Sequence, residues 1–203
     1  ITSFVLPRPN APVYLTVFLD DHSRYVVSWA LASHQKGELV LEALPDGVGR
    51  FGKPQEVLSD QGRQYFAWRG KSLFQRELKK LGIAHVVARS HHPQTVGKCE
   101  RLWKTVGDEL LSRCSPLDLA EARERLGHFF AHYNHLRPHQ GLDGMVPADR
   151  FFGAETTVRA QLEANLAANE LALAIGEAAR QPVYLVGRVG EQAISMRAQR
   201  GRL

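Results

Sequence analysis

The stretch "VYLTVFLDDHSRYVVSWALA", residues 13–32, decides the fold class. Residues 13–20 are apolar and rich in β-branched side chains, the composition of a strand. "DDHSR" then supplies turn residues, and "YVVSWALA" returns as a second strand. An antiparallel hairpin is therefore expected, the first piece of a sheet. Downstream, "GELVLEALPDGVGRFG" places Val40, Leu41 and Leu44 at helical spacing. That predicts a helix up to about Phe51, with Pro45 weakening its second half. "QEVLSD" reads as a short strand that stops at Asp60, and "QGRQYFAWRG" as a loop. "KSLFQRELKKLG" carries Leu73, Phe74, Leu78 and Leu81 on one face and ends at Gly82, an amphipathic helix. "IAHVVA" is another strand. In "HHPQTVGKCERLWKTV", residues 91–106, Pro93 and Gly97 are expected to hold a loop before a helix from about Lys98 to Cys114. Cys99, Leu102, Val106 and Leu110 are its apolar stripe. A further helix covers about Leu117 to Leu136. Strands alternating with helices imply an α/β fold with a mixed sheet and helices packed on it.

After Phe152 the texture changes. "AETTVRAQLEANLAANELALAIGEAAR" predicts a helix of about 24 residues, about 36 Å long, ended by Pro182. "PVYLVGRVGEQAISMRAQRGRL" reads as a basic β-hairpin. The expected organisation is a core over 1–152, a helical linker over 153–181 and the start of a small β module over 182–203. The 203 residues are 44% hydrophobic, enough for a packed core, and carry a net charge of +5. A basic balance fits an anionic partner such as nucleic acid. Without an apolar run of about 18 residues, no membrane span is expected. Two cysteines without a CxxC pair favour a reduced, cytoplasmic setting.

Two acids are candidates for chemistry. Asp60 ends a strand with Gly62 following, and sites in open α/β sheets form beyond the carboxyl ends of strands. A turn Asp capping the strand is the plainer alternative. Glu100 falls in the expected first turn of its helix, where the dipole favours a carboxylate. Pairing with Lys104 at i,i+4 is the plainer alternative there. Lys98, Arg101 and Lys104 recur every third residue, either as a solvated face or as a row meeting phosphates. Two acids on a sheet–helix frame, ringed by cations, suit a hard divalent ion, because Mg²⁺ takes oxygen ligands and often only one or two carboxylates. His128, His132, His135 and His139 lack a matching Cys pair, and helix-face and loop roles are favoured over zinc. No G-x-S-x-G, P-loop or G-x-G-x-x-G occurs, which weighs against esterase, nucleotide-hydrolase and dinucleotide-enzyme readings.

"VLSDQGRQYF", then "FQRELKKLGIAHVVARSHHPQTVGKCERLWKTV", then "HYNHLRPHQGLDGMVPADRF" resemble the catalytic core of bacterial insertion-sequence transposases and retroviral-type integrases. The resemblance covers roughly residues 1–152. It implies a ribonuclease-H-like fold: a mixed five-stranded sheet with helices on both faces. It also implies an Asp-Asp-Glu triad binding two Mg²⁺ or Mn²⁺ ions, with Asp60 matching the second acid and Glu100 the third. The family register puts the first acid immediately before Ile1. This chain is therefore expected to lack it and to be inactive by itself. Asp20 and Asp21 sit at the hairpin turn, expected to be remote from a site on the first strand. By resemblance, His92, Gln94 and Lys98 lie on a loop near DNA, with Arg101 and Lys104 beyond. The implied activity is nicking of transposon ends by water, then strand transfer by the freed 3′-hydroxyl into target DNA, by a homodimer or higher multimer. A non-catalytic DNA-binding or assembly module and a ribonuclease-H-like nuclease are the alternatives.

Overall fold

The computed structural model describes all residues except 9, 36, 68, 89–92, 177–182, 190–191 and 199–203. By its contacts the chain divides into two units: Ile1–Asp21 with Val26–Ala131, and His22–Tyr25 with His132–Leu203.

The first unit opens with β1 (Thr2–Leu6), β2 (Ala11–Leu19) and β3 (Val26–Ala32), an antiparallel sheet in that order. Thr2 pairs with Leu15 and Leu6 with Ala11, and Tyr14 pairs with Ala32. This register sets the end of β2 at the same end of the sheet as Ile1. The ladder slips between Phe18 and Leu19, and Asp20 and Asp21 follow directly. The turn thus follows the end of the sheet at which β1 begins, beyond the last paired residue, Leu19.

α1 (Gly37–Phe51) runs through Pro45 without a break. Pro45 is exposed and forfeits one bond, to the Leu41 carbonyl. Buried Leu39, Val40, Ala43, Leu44 and Gly47 hold the helix against the sheet across that gap. The approach is close: Ser28 Oγ donates to the Ala43 carbonyl at 2.8 Å, and a Cβ on Gly47 would stand 2.9 Å from the same oxygen.

β4 (Glu56–Ser59) and β5 (Ala84–Val87) form a parallel pair, with Val57 opposite His85. Between them lies α2 (Leu73–Leu81). Ser72 and Gln75 close a capping box at its start, and Gly82, at φ 69°, caps its end. Val40, Leu44, Phe74, Leu78 and Ile83 form one buried cluster, and Ile1, Phe18 and Val57 pack on it. Both sets of strands thus share a core. Among the described residues the ladders group these strands as three and two, not as one continuous sheet of five.

α3 (Pro93–Val106) starts earlier than the sequence suggests. Proline suits a first helical position, because its φ is already helical and its missing N–H has no partner there anyway. Pro93 therefore opens the helix instead of holding a loop. Glu100 consequently lies past the first turn, and the dipole argument for it lapses. At Gly107 the winding loosens into a π-helical turn, Gly107–Leu111, in which Ser112 N bonds the Gly107 carbonyl at 2.9 Å. α4 (Leu119–His135) follows.

In the second unit, Tyr25 stacks on Phe151 at 4.3 Å, within α5 (Pro147–Phe151). α6 (Glu155–Ala174) has 20 residues and is followed by Gly176 at φ 78°. A left-handed glycine stops the helix before Pro182 is reached. β6 (Val183–Val189) and β7 (Gln192–Ala198) form the antiparallel pair expected near the C-terminus. No described helix is long and apolar enough to cross a membrane.

Candidate active site

Asp60 is the first residue beyond β4, where the parallel pair stops and a side chain can leave the sheet. Its carboxylate is exposed, and Oδ1 accepts from the Gly62 amide at 2.8 Å. The backbone beneath it is held from the neighbouring strand. Ser59 is 7% exposed. Its hydroxyl lies 2.9 Å from both the Asp60 carbonyl and His85 Nε2. One hydroxyl proton cannot serve both acceptors, so the consistent chain is His85 Nε2–H to Ser59, and Ser59 to Asp60. Burial lowers the His85 pKa, which keeps the ring neutral near pH 7. Gln61 reaches the Ala88 carbonyl at 3.3 Å, and Ala88 N bonds the Ser59 carbonyl at 2.8 Å.

The Ile1 nitrogen enters the same corner. It lies 3.5 Å from the Tyr65 hydroxyl, and Asp60 and Cys99 both act on it electrostatically. Burial pushes Tyr65 up to about 12, against a hydrogen bond with Thr16, and Asp60 adds to the rise. Tyr65 is therefore a neutral hydroxyl that can donate or accept.

α3 supplies the other wall. Leu102 and Val106 are each 1% exposed and anchor it in the core. Glu100, Arg101 and Lys104 face solvent. The ion pairs of the described residues do not include Glu100 with Lys104, so the plain i,i+4 role is not taken up. Cys99 links the two walls. Burial raises its pKa, the Ile1 nitrogen opposes that, and the carboxylates of Asp21, Asp60 and Glu100 raise it further. Asp60 and Glu100 are separated by 39 residues in the chain, and both contribute electrostatically to the rise at this thiol.

Lys98, expected from the resemblance to lie near DNA, has an acidic partner in this structure. Its Nζ donates to Asp21 Oδ2 at 2.5 Å and to the Asp21 carbonyl at 3.0 Å. His92 lies outside the described residues, and of Gln94 only the backbone, in the first turn of α3, is described. Sequence reasoning did not single out Ser59, His85, Tyr65 or the Asp21 carboxylate as members of this corner.

Among the described residues, no cluster of three or more His, Cys, Asp or Glu side chains could hold a metal ion. The donors present nonetheless fit a hard cation. Asp60 and Glu100 are exposed carboxylates outside the described side-chain ion pairs, the donor chemistry that Mg²⁺ and Mn²⁺ take.

Two family models, each described as an integrase core domain, match residues 1–93 and 81–147. The transposase for insertion sequence element IS904 of Lactococcus lactis is 30% identical over 148 residues, 71% of this chain and 56% of that protein. The chain thus spans about half the length of that relative. The catalytic core domain of BIV integrase superposes with a TM-score of 0.54 at 20% identity, over 78% of this chain and 95% of that one. The HTLV-2 integrase catalytic core domain in complex with magnesium, in its dimeric form, gives a TM-score of 0.53 at 17% identity, over 72% and 88%. At those identities the likeness concerns the fold. With the matched residues running through both walls of the corner around Asp60, this chain belongs to the integrase core domain family, the type of catalytic core found in insertion-sequence transposases and retroviral integrases.

Proposed function

We propose that this chain is the catalytic core of an insertion-sequence transposase, which nicks DNA at the element's ends and joins the freed 3′-hydroxyl to target DNA. The observation that carries the reading is Asp60 exposed at the end of β4 and Glu100 exposed on α3, both within the residues that match the integrase core models. By the family register the first acid would immediately precede Ile1. Asp60, Glu100 and that acid would hold the ions. A bound Mg²⁺ or Mn²⁺ pair activates an attacking hydroxyl and stabilises a leaving oxygen.

The chain's own residues supply orientation and charge. The Gly62 amide fixes one oxygen of Asp60 and leaves the other free to coordinate. The His85–Ser59 chain holds the Asp60 backbone. Arg101 and Lys104, exposed on α3, meet phosphates and place the scissile strand. His92 and Gln94 belong to the same DNA-facing segment. In the first step a water oxygen attacks phosphorus, and the P–O3′ bond breaks to leave a 3′-hydroxyl. In the second, that oxygen attacks a target phosphodiester and expels the target's own 3′-oxygen. We read the three- and two-stranded ladders as parts of the family's five-stranded mixed sheet, and the acting species as a homodimer or higher multimer on paired DNA ends.

The test is strand transfer by the full-length protein with element-end DNA and Mg²⁺. Asp60→Asn and Glu100→Gln should each abolish joining while retaining DNA binding. Retained joining in either variant would sink the assignment. Arg101→Gln with Lys104→Gln should lower the log–log salt slope of DNA binding by about 2. Cleavage without joining in the unaltered protein would point instead to a nuclease, and binding without cleavage to an assembly module.

A further inference from the structure

Lys98 and Asp21 lie 77 positions apart, yet one ammonium meets both the carboxylate and the main-chain carbonyl of the same residue. Holding two acceptors fixes Lys98 against the turn's backbone as well as its side chain. Lys98 is 33% exposed and Asp21 75%. The lysine is therefore the more sheltered partner, and a phosphate would have to displace a carboxylate to reach it. Asp21 directly follows the slipped end of β2, and Lys98 lies on α3 two residues before Glu100. The bond ties the helix that carries Glu100 to the end of the sheet beside Ile1.

We propose that Lys98 and Asp21 are a positioning pair that sets α3, and with it the Glu100 carboxylate, rather than a DNA contact. The inference rests on Glu100 being a carboxylate of the reacting site. Partly exposed ion pairs contribute little to global stability. Displacing a reacting group by about 1 Å, in contrast, costs about 100-fold in rate. The pair should therefore show in turnover and not in melting.

The experiment uses the full-length protein with element-end DNA and Mg²⁺, with Glu100→Gln as the control for the underlying reading. Asp21→Asn and Lys98→Gln should each lower kcat about tenfold or more, with DNA affinity within about twofold and the salt slope unchanged. The double variant should fall no further than either single one. Amides of Cys99–Arg101 should exchange hydrogen faster in Asp21→Asn without DNA, a readout independent of activity. A salt slope lower by about 1 in Lys98→Gln, with Asp21→Asn unimpaired, makes Lys98 a phosphate contact and overturns the proposal. Multiplying losses in the double variant, or unchanged exchange in Asp21→Asn, overturn it as well. An active Glu100→Gln protein would instead remove the reading on which it rests.

Discussion

Gly62 offers a sharp test of how Asp60 is held. Its φ is not positive, so the glycine is not required by backbone conformation. The constraint is space. A Cβ built there would stand 2.8 Å from Asp60 Oδ1, and 2.4 Å and 2.8 Å from the Gln64 amide. Contacts under 3.0 Å are essentially never adopted, so something must move. Gln64 is the far end of a flexible side chain and can swing away. Asp60 Oδ1 cannot retreat without lengthening its 2.8 Å bond from the Gly62 amide. Losing that bond costs about 0.5–1.5 kcal/mol, and about 1 kcal/mol shifts Tm by about 2–4 °C in a chain of this size. The carboxylate, displaced by a few tenths of an ångström or rotated, should cost about 10- to 100-fold in strand-transfer kcat. Gly62→Ala should therefore melt within about 5 °C of the unaltered protein and turn over far more slowly. Combining it with Gln64→Ala separates the two clashes. If Asp60 is the group displaced, the double variant stays slow. A Gly62→Ala protein with kcat within about twofold of the parent would refute the argument that this glycine exists to make room for the carboxylate.

Two further outcomes follow from the same scaffold. Ser72→Ala removes the cap that accepts from Gln75 N at 3.1 Å and the hydroxyl that donates to the Tyr65 carbonyl at 2.8 Å. A thermal melt should show a loss of about 1–2 kcal/mol, which Ser72→Thr largely restores; an unchanged Tm for Ser72→Ala would contradict the capping account. For His85 the folded pKa is held below 6.5 by burial, so the folded state takes up its proton later than the unfolded one. Its contribution to stability is fully present above pH 6.5 and declines as pH falls through the folded pKa. An NMR titration should find the ring titrating below 6.5, and a midpoint at or above that value would break the Ser59–His85 argument.

Much of this molecule was legible as pattern. Apolar, β-branched runs marked β2 and β3, and the amphipathic repeat ended by Gly82 marked α2, because local sterics and one-sided burial leave a direct imprint on residue order. Asp60 at the end of β4 could be found for the same reason. Pro93 is ambiguous from its neighbours alone. A proline before a helix and a proline opening one look alike until the next turn's packing is known.

What the residue order alone determined is which elements form, which faces are apolar, and that one acid ends a strand while another rides a basic helix. What only the tertiary structure decided is which groups those elements bring together: Lys98 to Asp21 across 77 positions, His85 to Ser59 across 26, and the Ile1 nitrogen to the Tyr65 hydroxyl across 64. The physical reason is that periodicity encodes a residue's environment, whereas its partner depends on strand register and helix placement set by the whole core. A lysine reads as a cation anywhere along the chain; the fold is what brings Asp21 within reach of Lys98.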